Sequence, residues 1–262
     1  MTLLKHEIRQ GGASFGIWTL SIGFLIAVCI FLFPEMSRQI EEANELFSSM
    51  GSFSAAFGMD RLSFGTLTGF YAIECCNVLG LGGAFYASLT AAGMLGKEER
   101  DRTAEFLLTH PVSRGRIVAE KLAAVLFFIT AMNLLIFAVS VCCILAIGET
   151  VPLKELALLH AAYGLLQLEL GGICFGISAF LKKGAAGVGL GLAAGMYFLN
   201  LIANITKSAG FLKYITPFGY CEGADLLADG RMDAAKAAVG IAVGAAGIAA
   251  AFVYYRKKDI HG

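Results

Sequence analysis

The hydrophobic positions of this sequence form six long apolar stretches separated by short, more polar segments. A bilayer core about 30 Å thick is crossed by about 20 apolar residues in a helix, and each stretch reaches that length. Four stretches contain no charged residue, one is interrupted by Glu74, and one contains His160 and Glu169. The alternation typical of membrane strands is absent, so the pattern predicts an all-α polytopic membrane protein. The predicted spans are residues 11–33, 62–95, 122–147, 156–181, 184–205 and 237–255.

The composition excludes a soluble globule. Hydrophobic residues make up 57% of the chain and charged residues only 15%, whereas soluble domains carry about 25% charged residues. The formal net charge is zero, which gives no argument for a nucleic-acid partner. The seven cysteines are odd in number and six lie inside apolar stretches, so neither a disulfide framework nor a metal clamp is expected. We expect one transmembrane domain over residues 1–262.

The distribution of Lys and Arg predicts the orientation in the membrane. Thirteen of these residues fall on the side that carries both termini and the loop after the second span, and seven fall on the other side. Basic residues accumulate in cytoplasmic loops, so both termini are expected in the cytoplasm. An even number of spans agrees with this placement.

Several glycine pairs have the G-x-x-x-G spacing that allows membrane helices to approach closely. Glycine is common in membrane helices, so the motif is mild support for a tightly packed bundle or dimer. The pairs are Gly12/Gly16, Gly65/Gly69, Gly172/Gly176, Gly187/Gly191/Gly195 and Gly240/Gly244.

The most informative segment is the loop at residues 96–114, between the second and third spans. It has dense charge, a short amphipathic turn at residues 105–108, and a break at Pro111. Ser113 is placed to cap the next helix, which continues through Lys121. One interpretation is an interfacial helix lying on lipid headgroups. The other is a helix whose apolar residues are buried against a partner protein.

This loop resembles the cytoplasmic signature of type 2 ATP-binding cassette (ABC) exporter permeases. The matching residues are Glu98, Glu99, Thr103, Glu105, Leu107, Leu108, Pro111, Val112, Ser113, Arg114 and Lys121. Residues 3–9 resemble the amphipathic N-terminal helix of that family, and residues 214–220 resemble its outer segment before the last span. The sequence departs from the pattern at Arg102, where many members have glycine, which affects the expected start of the short helix.

The resemblance implies a permease of six spans that pairs with a second copy or a paralogue. It also implies a separate ABC ATPase, which binds ATP and magnesium, a location in the bacterial plasma membrane, and an outer helical hairpin between the fifth and sixth spans. In the family, the short helix after the second span is a coupling helix seated on the ATPase. The residues expected to couple are Glu98, Glu99, Thr103, Glu105, Phe106, Leu107, Leu108, Pro111 and Arg114. The apolar members would anchor the contact, while the charged flanks would select the partner.

The chain itself has no recognisable nucleotide-binding or protease motif. G-x-x-x-x-G-K-[ST], H-E-x-x-H and G-x-S-x-G are all missing, and the pairs Glu98–Glu99 and Glu41–Glu42 lack the arginine of glutamate-type membrane proteases. Energy for transport must therefore come from a partner or from an ion gradient.

Polar residues inside the spans are candidates for a substrate pathway. Glu169 lies near the middle of the membrane, where a carboxylate is costly unless it is paired, protonated or hydrated. Glu74 lies near the outer boundary, and a break or outward extension is expected within residues 62–73. The pathway candidates are Glu169, Gln167, Asn200, Asn204 and Glu74. The alternative for these groups is a polar clasp between helices. A proton-coupled secondary transporter that uses Glu169 and His160 is the alternative function.

Overall fold

The computed structural model describes residues 2–39, 51–101, 103, 112–181 and 184–258. The described residues are helical throughout, without strands, and six helical segments are long and apolar enough to cross a membrane. The prediction of an all-α protein with six spans is therefore confirmed. The six segments are Leu3–Arg38, Leu67–Ala92, Arg114–Ala146, Leu153–Ser178, Ala185–Ile205 and Ala234–Lys257.

The first helix, α1 (Thr2–Arg38), is continuous from the N-terminal segment into the first span. The expected amphipathic helix at residues 3–9 is therefore the first part of α1 rather than a separate element. No proline or side-chain cap interrupts the backbone before Gly11, so the helical hydrogen bonds continue into the apolar stretch. A short helix, α2 (Ser52–Phe57), follows in the segment before the second span.

The second span begins irregularly, within the region where a break is expected. It consists of α3 (Leu67–Phe70), a π-helical turn (Tyr71–Cys75) and α4 (Cys76–Ala92). Thr66 caps α3 by accepting a hydrogen bond from the Gly69 amide at 3.2 Å. The start at Leu67 lies five residues beyond the start of the apolar stretch, because this cap fixes the beginning of the helix. Glu74 lies in the π-helical turn.

The remaining spans are single helices. A four-residue helix, α5 (Lys97–Arg100), lies in the predicted coupling loop. The third span, α6 (Arg114–Ala146), begins where Ser113 accepts a hydrogen bond from the Arg116 amide, so the expected cap is confirmed. The fourth, fifth and sixth spans are α7 (Leu153–Ser178), α8 (Ala185–Ile205) and α10 (Ala234–Lys257).

Glycines allow α7 and α10 to pack backbone against backbone. A Cβ atom at Gly172 would lie 2.8 Å from the Gly244 carbonyl oxygen, and one at Gly176 would lie 2.5 Å from that of Gly247. This approach is closer than any side chain permits, so α7 and α10 form the tightest interface of the described bundle. A Cβ at Gly187, Gly191 or Gly195 of α8 would meet no atom within 4 Å among the described residues.

The segment between the fifth and sixth spans folds back toward the bundle. It contains two 3₁₀ helices (Lys207–Tyr214 and Pro217–Tyr220), followed by α9 (Gly223–Asp229). Thr216 caps the second piece, and residues 217–220 are all buried. The sequence predicts a helical hairpin here with its turn at Pro217 and Gly219, whereas in the structure both residues lie within the second 3₁₀ helix. We call residues 207–229 the outer segment.

Candidate functional site: the charged end of the bundle

Lys121 is completely buried at the end of the bundle where α4 ends and α6 begins, which we call the charged end. Its ammonium donates hydrogen bonds to Glu7 Oε1 at 3.1 Å, to Glu98 Oε1 at 2.5 Å and to the Met94 carbonyl oxygen at 2.8 Å. A buried ammonium is tolerated only where such partners replace its water. Three donors meet three acceptors, so Lys121 joins α6 to α1 and to the root of the loop.

Further ion pairs surround this lysine. Lys97 forms an ion pair with Glu7, so that Glu7 bridges two lysines. Lys258 Nζ lies 2.5 Å from Glu99 Oε1, and both side chains are buried. Arg114 Nη1 donates to the carbonyl oxygen of Lys258 at 2.5 Å. We call this group the charged-end network; it consists of Glu7, Lys97, Glu98, Glu99, Arg114, Lys121 and Lys258.

The network joins the two roots of the predicted coupling loop to three other helices. Glu98 and Glu99 lie near the start of the loop, and Arg114 is its last residue. Through these residues the loop is fastened to α1, α6 and the end of α10. The buried ion pairs among these contacts do not separate without leaving an uncompensated charge.

The predicted coupling residues divide into two groups. Glu98, Glu99 and Arg114 lie in the network, and the Thr103 amide donates to the Glu98 carbonyl oxygen at 2.9 Å. These residues hold the base of the loop. The others lie outside the described residues: Glu105, Phe106, Leu107, Leu108 and Pro111.

Sequence reasoning missed three members of the network, Glu7, Lys97 and Lys258. A weak signal existed for Glu7, which lies four residues after Leu3 and four before Gly11, on the face that α1 turns toward the protein. Lys258 carries no local signal, because it is one of several basic residues after the last span. Its role depends on contacts with Glu99 and Arg114, far away in the sequence.

Glu169 is buried between α7, α10 and the outer segment. The Tyr220 hydroxyl donates a hydrogen bond to Glu169 Oε2 at 2.8 Å. A side chain at Gly240 would collide with the same carboxyl group, so the glycine makes room for it. His160, nine residues before Glu169 on the same helix, does not share this contact. Its Nε2 forms a hydrogen bond with the Tyr71 hydroxyl at 2.8 Å.

The other pathway candidates lie in separate places. Gln167 accepts a hydrogen bond from Asn133 at 2.7 Å and donates to the Leu79 carbonyl oxygen at 3.3 Å. Asn204 donates to the Ala56 carbonyl oxygen at 3.1 Å, Asn200 is buried on α8, and Glu74 is half-buried. Among the described residues, Glu169, Gln167 and Asn204 bond to different elements.

A second ionic cluster lies at the opposite end of the bundle. Arg61 donates to Asp225 at 2.6 Å and pairs with Glu222, which also accepts from Lys213 at 2.7 Å. Burial alone would lower the pKa of Arg61, but Asp225 and Glu222 together raise it. The Arg61 and Asp225 side chains are 44% and 41% exposed, so solvent screens this cluster more than the charged-end network.

Comparison with known proteins identifies the family. Residues 1–260 match the family model described as "ABC-2 family transporter protein". No curated protein matches the sequence at a significant level. The match covers all six helices and both ends of the bundle, and in this family the permease is the transmembrane component rather than the ATPase. The chain therefore belongs to the ABC-2 family of transporter proteins and is a multi-pass membrane permease component of an ABC transporter.

Proposed function

We propose that this chain is the permease subunit of an ATP-driven exporter, coupled to its ATPase through the loop at the charged end. Two permease chains, identical or paralogous, form the pathway, and each contacts an ATPase subunit that binds ATP and magnesium. Phe106, Leu107 and Leu108 anchor the ATPase, with Glu105 and Pro111 flanking them. Family membership and the absence of a nucleotide-binding motif in the sequence support this division of labour.

The main support for the proposal is that the charged-end network holds the loop at both of its ends, through Glu98 and Glu99 at one end and Arg114 at the other. A coupling element has to transmit a displacement rather than absorb it. Lys121 is fully buried and bonds three acceptors, and Glu99 pairs with a buried Lys258. Because buried pairs resist separation, force applied to the loop reaches α1, α6 and α10.

The proposed orientation places the charged end and both termini in the cytoplasm, as the excess of basic residues favours. Single cysteines test this in a background without the seven native ones. Asp229→Cys in the outer segment should react with a membrane-impermeant thiol reagent in intact cells, whereas Lys257→Cys should react only after permeabilisation. Both positions are exposed in the bundle. The reverse labelling pattern would overturn the orientation.

Glu169 is assigned to holding the outer segment rather than to a proton relay. Its side chain is only 5% exposed and bonds Tyr220, which supports a clasp and disfavours the proton-coupled alternative. Glu169→Gln keeps an acceptor for the tyrosine hydroxyl and removes the titratable group. ATP-dependent function should survive this change, whereas a carrier that relays protons through Glu169 would lose transport.

Purification of the assembled complex tests the proposed function. The permease is tagged, extracted from its native membranes in mild detergent, and weighed intact by native mass spectrometry. The proposal predicts two permease chains with two ATPase chains that contain a G-x-x-x-x-G-K-[ST] motif, and a preparation that hydrolyses ATP. A permease that is fully active in vesicles without any ATPase subunit would contradict it.

A further inference from the structure

A groove opens between α1 and α4 at the charged end of the bundle. It encloses about 280 Å³. On α1 it extends from Glu7 to Ser14, seven residues or roughly 10 Å along the helix, and the predicted first span begins at residue 11, inside this range. The groove therefore begins at the membrane boundary and continues into the hydrocarbon region.

The lining changes from charged to apolar along the groove. Glu7, Lys97 and Arg100 line the charged end, whereas Leu89 and Phe128 line the part that lies deeper in the membrane. This order matches an amphiphile with a polar head and an apolar tail. The volume lies just below the roughly 300–1,000 Å³ of drug-sized pockets, which suits a headgroup and the first part of one acyl chain.

Charge selects an anionic head. An ammonium has three N–H donors. Among the described residues, Lys97 donates two of its three hydrogen bonds, one to Glu7 and one to Gln10. Arg100 uses two of its five donors on Asp101 and has a half-exposed side chain. Glu7 pairs with Lys97 and with Lys121, which it shares with Glu98, and among the residues that line the groove Lys97 and Arg100 outnumber Glu7. The unused N–H donors in the groove therefore belong to the cationic side chains of Lys97 and Arg100, which bind phosphate groups well.

Packing keeps the groove open. Gly11 lies against the Phe128 ring, where a Cβ atom would approach within 2.6 Å, so α1 rests on α6 rather than on α4 at this depth. Gly93 faces the groove from the other wall, and a Cβ there would meet no atom within 4 Å. At the deeper end Tyr86 lines the groove, and its ring centroid lies 6.1 Å from that of Trp18.

We propose that this groove binds an anionic glycerophospholipid, with its phosphate at Lys97 and Arg100 and one acyl chain along Leu89 and Phe128. The lipid would occupy the leaflet at the charged end, beside the base of the coupling loop. The inference does not depend on ATP-driven export, since it requires only the groove, its charge and its depth.

Trp18 provides the test, because it is the only tryptophan in the chain and its ring packs beside Tyr86, which lines the deep end of the groove. The full-length permease is reconstituted in phosphatidylcholine that contains a minor fraction of lipid with brominated acyl chains, which quench nearby tryptophan. The brominated lipid is either phosphatidylglycerol or phosphatidylcholine at the same mole fraction. We expect an enrichment of phosphatidylglycerol at Trp18 of about fivefold, the effect of roughly one net basic side chain at an anionic surface.

Two glycine substitutions serve as the matched pair. Gly93→Leu fills the groove without displacing a neighbour and should abolish the preference for phosphatidylglycerol. Gly12→Leu adds the same side chain to α1, at the same depth but outside the groove lining, and should retain the preference. Equal quenching by the two brominated lipids in the wild-type protein would overturn the proposal, as would a Gly93→Leu variant that keeps the wild-type preference.

Discussion

The two ends of the bundle are held together by different chemistry. At the charged end, buried ion pairs join four segments of the chain around Lys121. At the other end, the outer segment is held by a neutral donor, Tyr220, and by a partly exposed cluster in which Arg61 pairs with Asp225 and with the buried Glu222. A buried pair is costly to break, whereas an exposed one contributes little. We therefore expect the charged end to resist separation more strongly than the outer end.

This difference fits a permease that receives force at one end and opens at the other. The end that transmits movement has to be stiff. The outer segment, in contrast, has to separate from the bundle at a modest cost in free energy. The tight α7–α10 interface links the two ends, since Glu169 on α7 contacts the outer segment and Lys258 at the end of α10 contacts the loop root.

The largest effect is expected from Lys121→Met, which leaves Glu7 and Glu98 without their shared cation. Removal of one partner from a buried pair costs about 3–5 kcal/mol, so we expect a loss of this size in the free energy of unfolding. Titration with a denaturing detergent, followed by circular dichroism, measures it. Adding Glu98→Gln to this variant should recover part of the loss, because one orphaned charge is removed.

Arg116→Met is the matched control for that prediction. Arg116 lies on the same helix and pairs with Glu120 at 2.9 Å, but its side chain is 59% exposed. We expect a change of at most about 0.5 kcal/mol. If both variants lose the same stability, the distinction between buried and exposed pairs at this end is wrong.

A smaller effect is expected from Tyr220→Phe, which leaves the buried Glu169 carboxyl without its donor. The cost should be about 1–3 kcal/mol and confined to the outer segment. Hydrogen exchange measured by mass spectrometry should therefore become faster over residues 207–229 and remain unchanged at the charged end. Tyr214→Phe, at a residue 54% exposed, is the control and should leave exchange unaltered. Unchanged exchange in Tyr220→Phe would show that this bond does not hold the segment.

The smallest effect is expected from Arg61→Gln. Its pairs are partly exposed, so their loss should cost no more than about 1 kcal/mol in the free energy of unfolding and should diminish further at high salt. The detergent titration used for Lys121→Met, repeated at low and high salt, measures both. A loss as large as that of Lys121→Met would remove the contrast between the two ends.

Much of the fold could be predicted from the sequence because its causes are local. Six apolar stretches specify the spans, and Ser113 specifies the start of α6. The charged-end network was only partly predictable. Glu98 and Arg114 belong to a recognisable loop, whereas Lys97 meets Glu7 across 90 positions and Arg114 meets the Lys258 backbone across 144. No local pattern encodes such pairs.

The glycine motifs show the same limit. Gly172/Gly176 and Gly187/Gly191 have the same spacing, but the first pair packs against the α10 backbone and the second faces no described atom. Spacing indicates that a close approach is possible, while the partner depends on the path of the whole chain. The position of Glu169 under Tyr220 likewise follows from the outer segment folding back, which the sequence around Glu169 does not specify.

The most direct test of the central claim compares the same kind of change at the two ends. Phe106→Asp with Leu107→Asp places two carboxylates in the proposed ATPase contact, and Phe211→Asp with Ile215→Asp places two on exposed positions of the outer segment. Retention of the ATPase subunit is measured after detergent extraction and affinity purification of each variant. Burial of an unpaired carboxylate costs several kcal/mol, so the first variant should lose the ATPase by orders of magnitude while the second retains it. Retention of the ATPase at the wild-type level by the Phe106→Asp, Leu107→Asp variant would contradict the account.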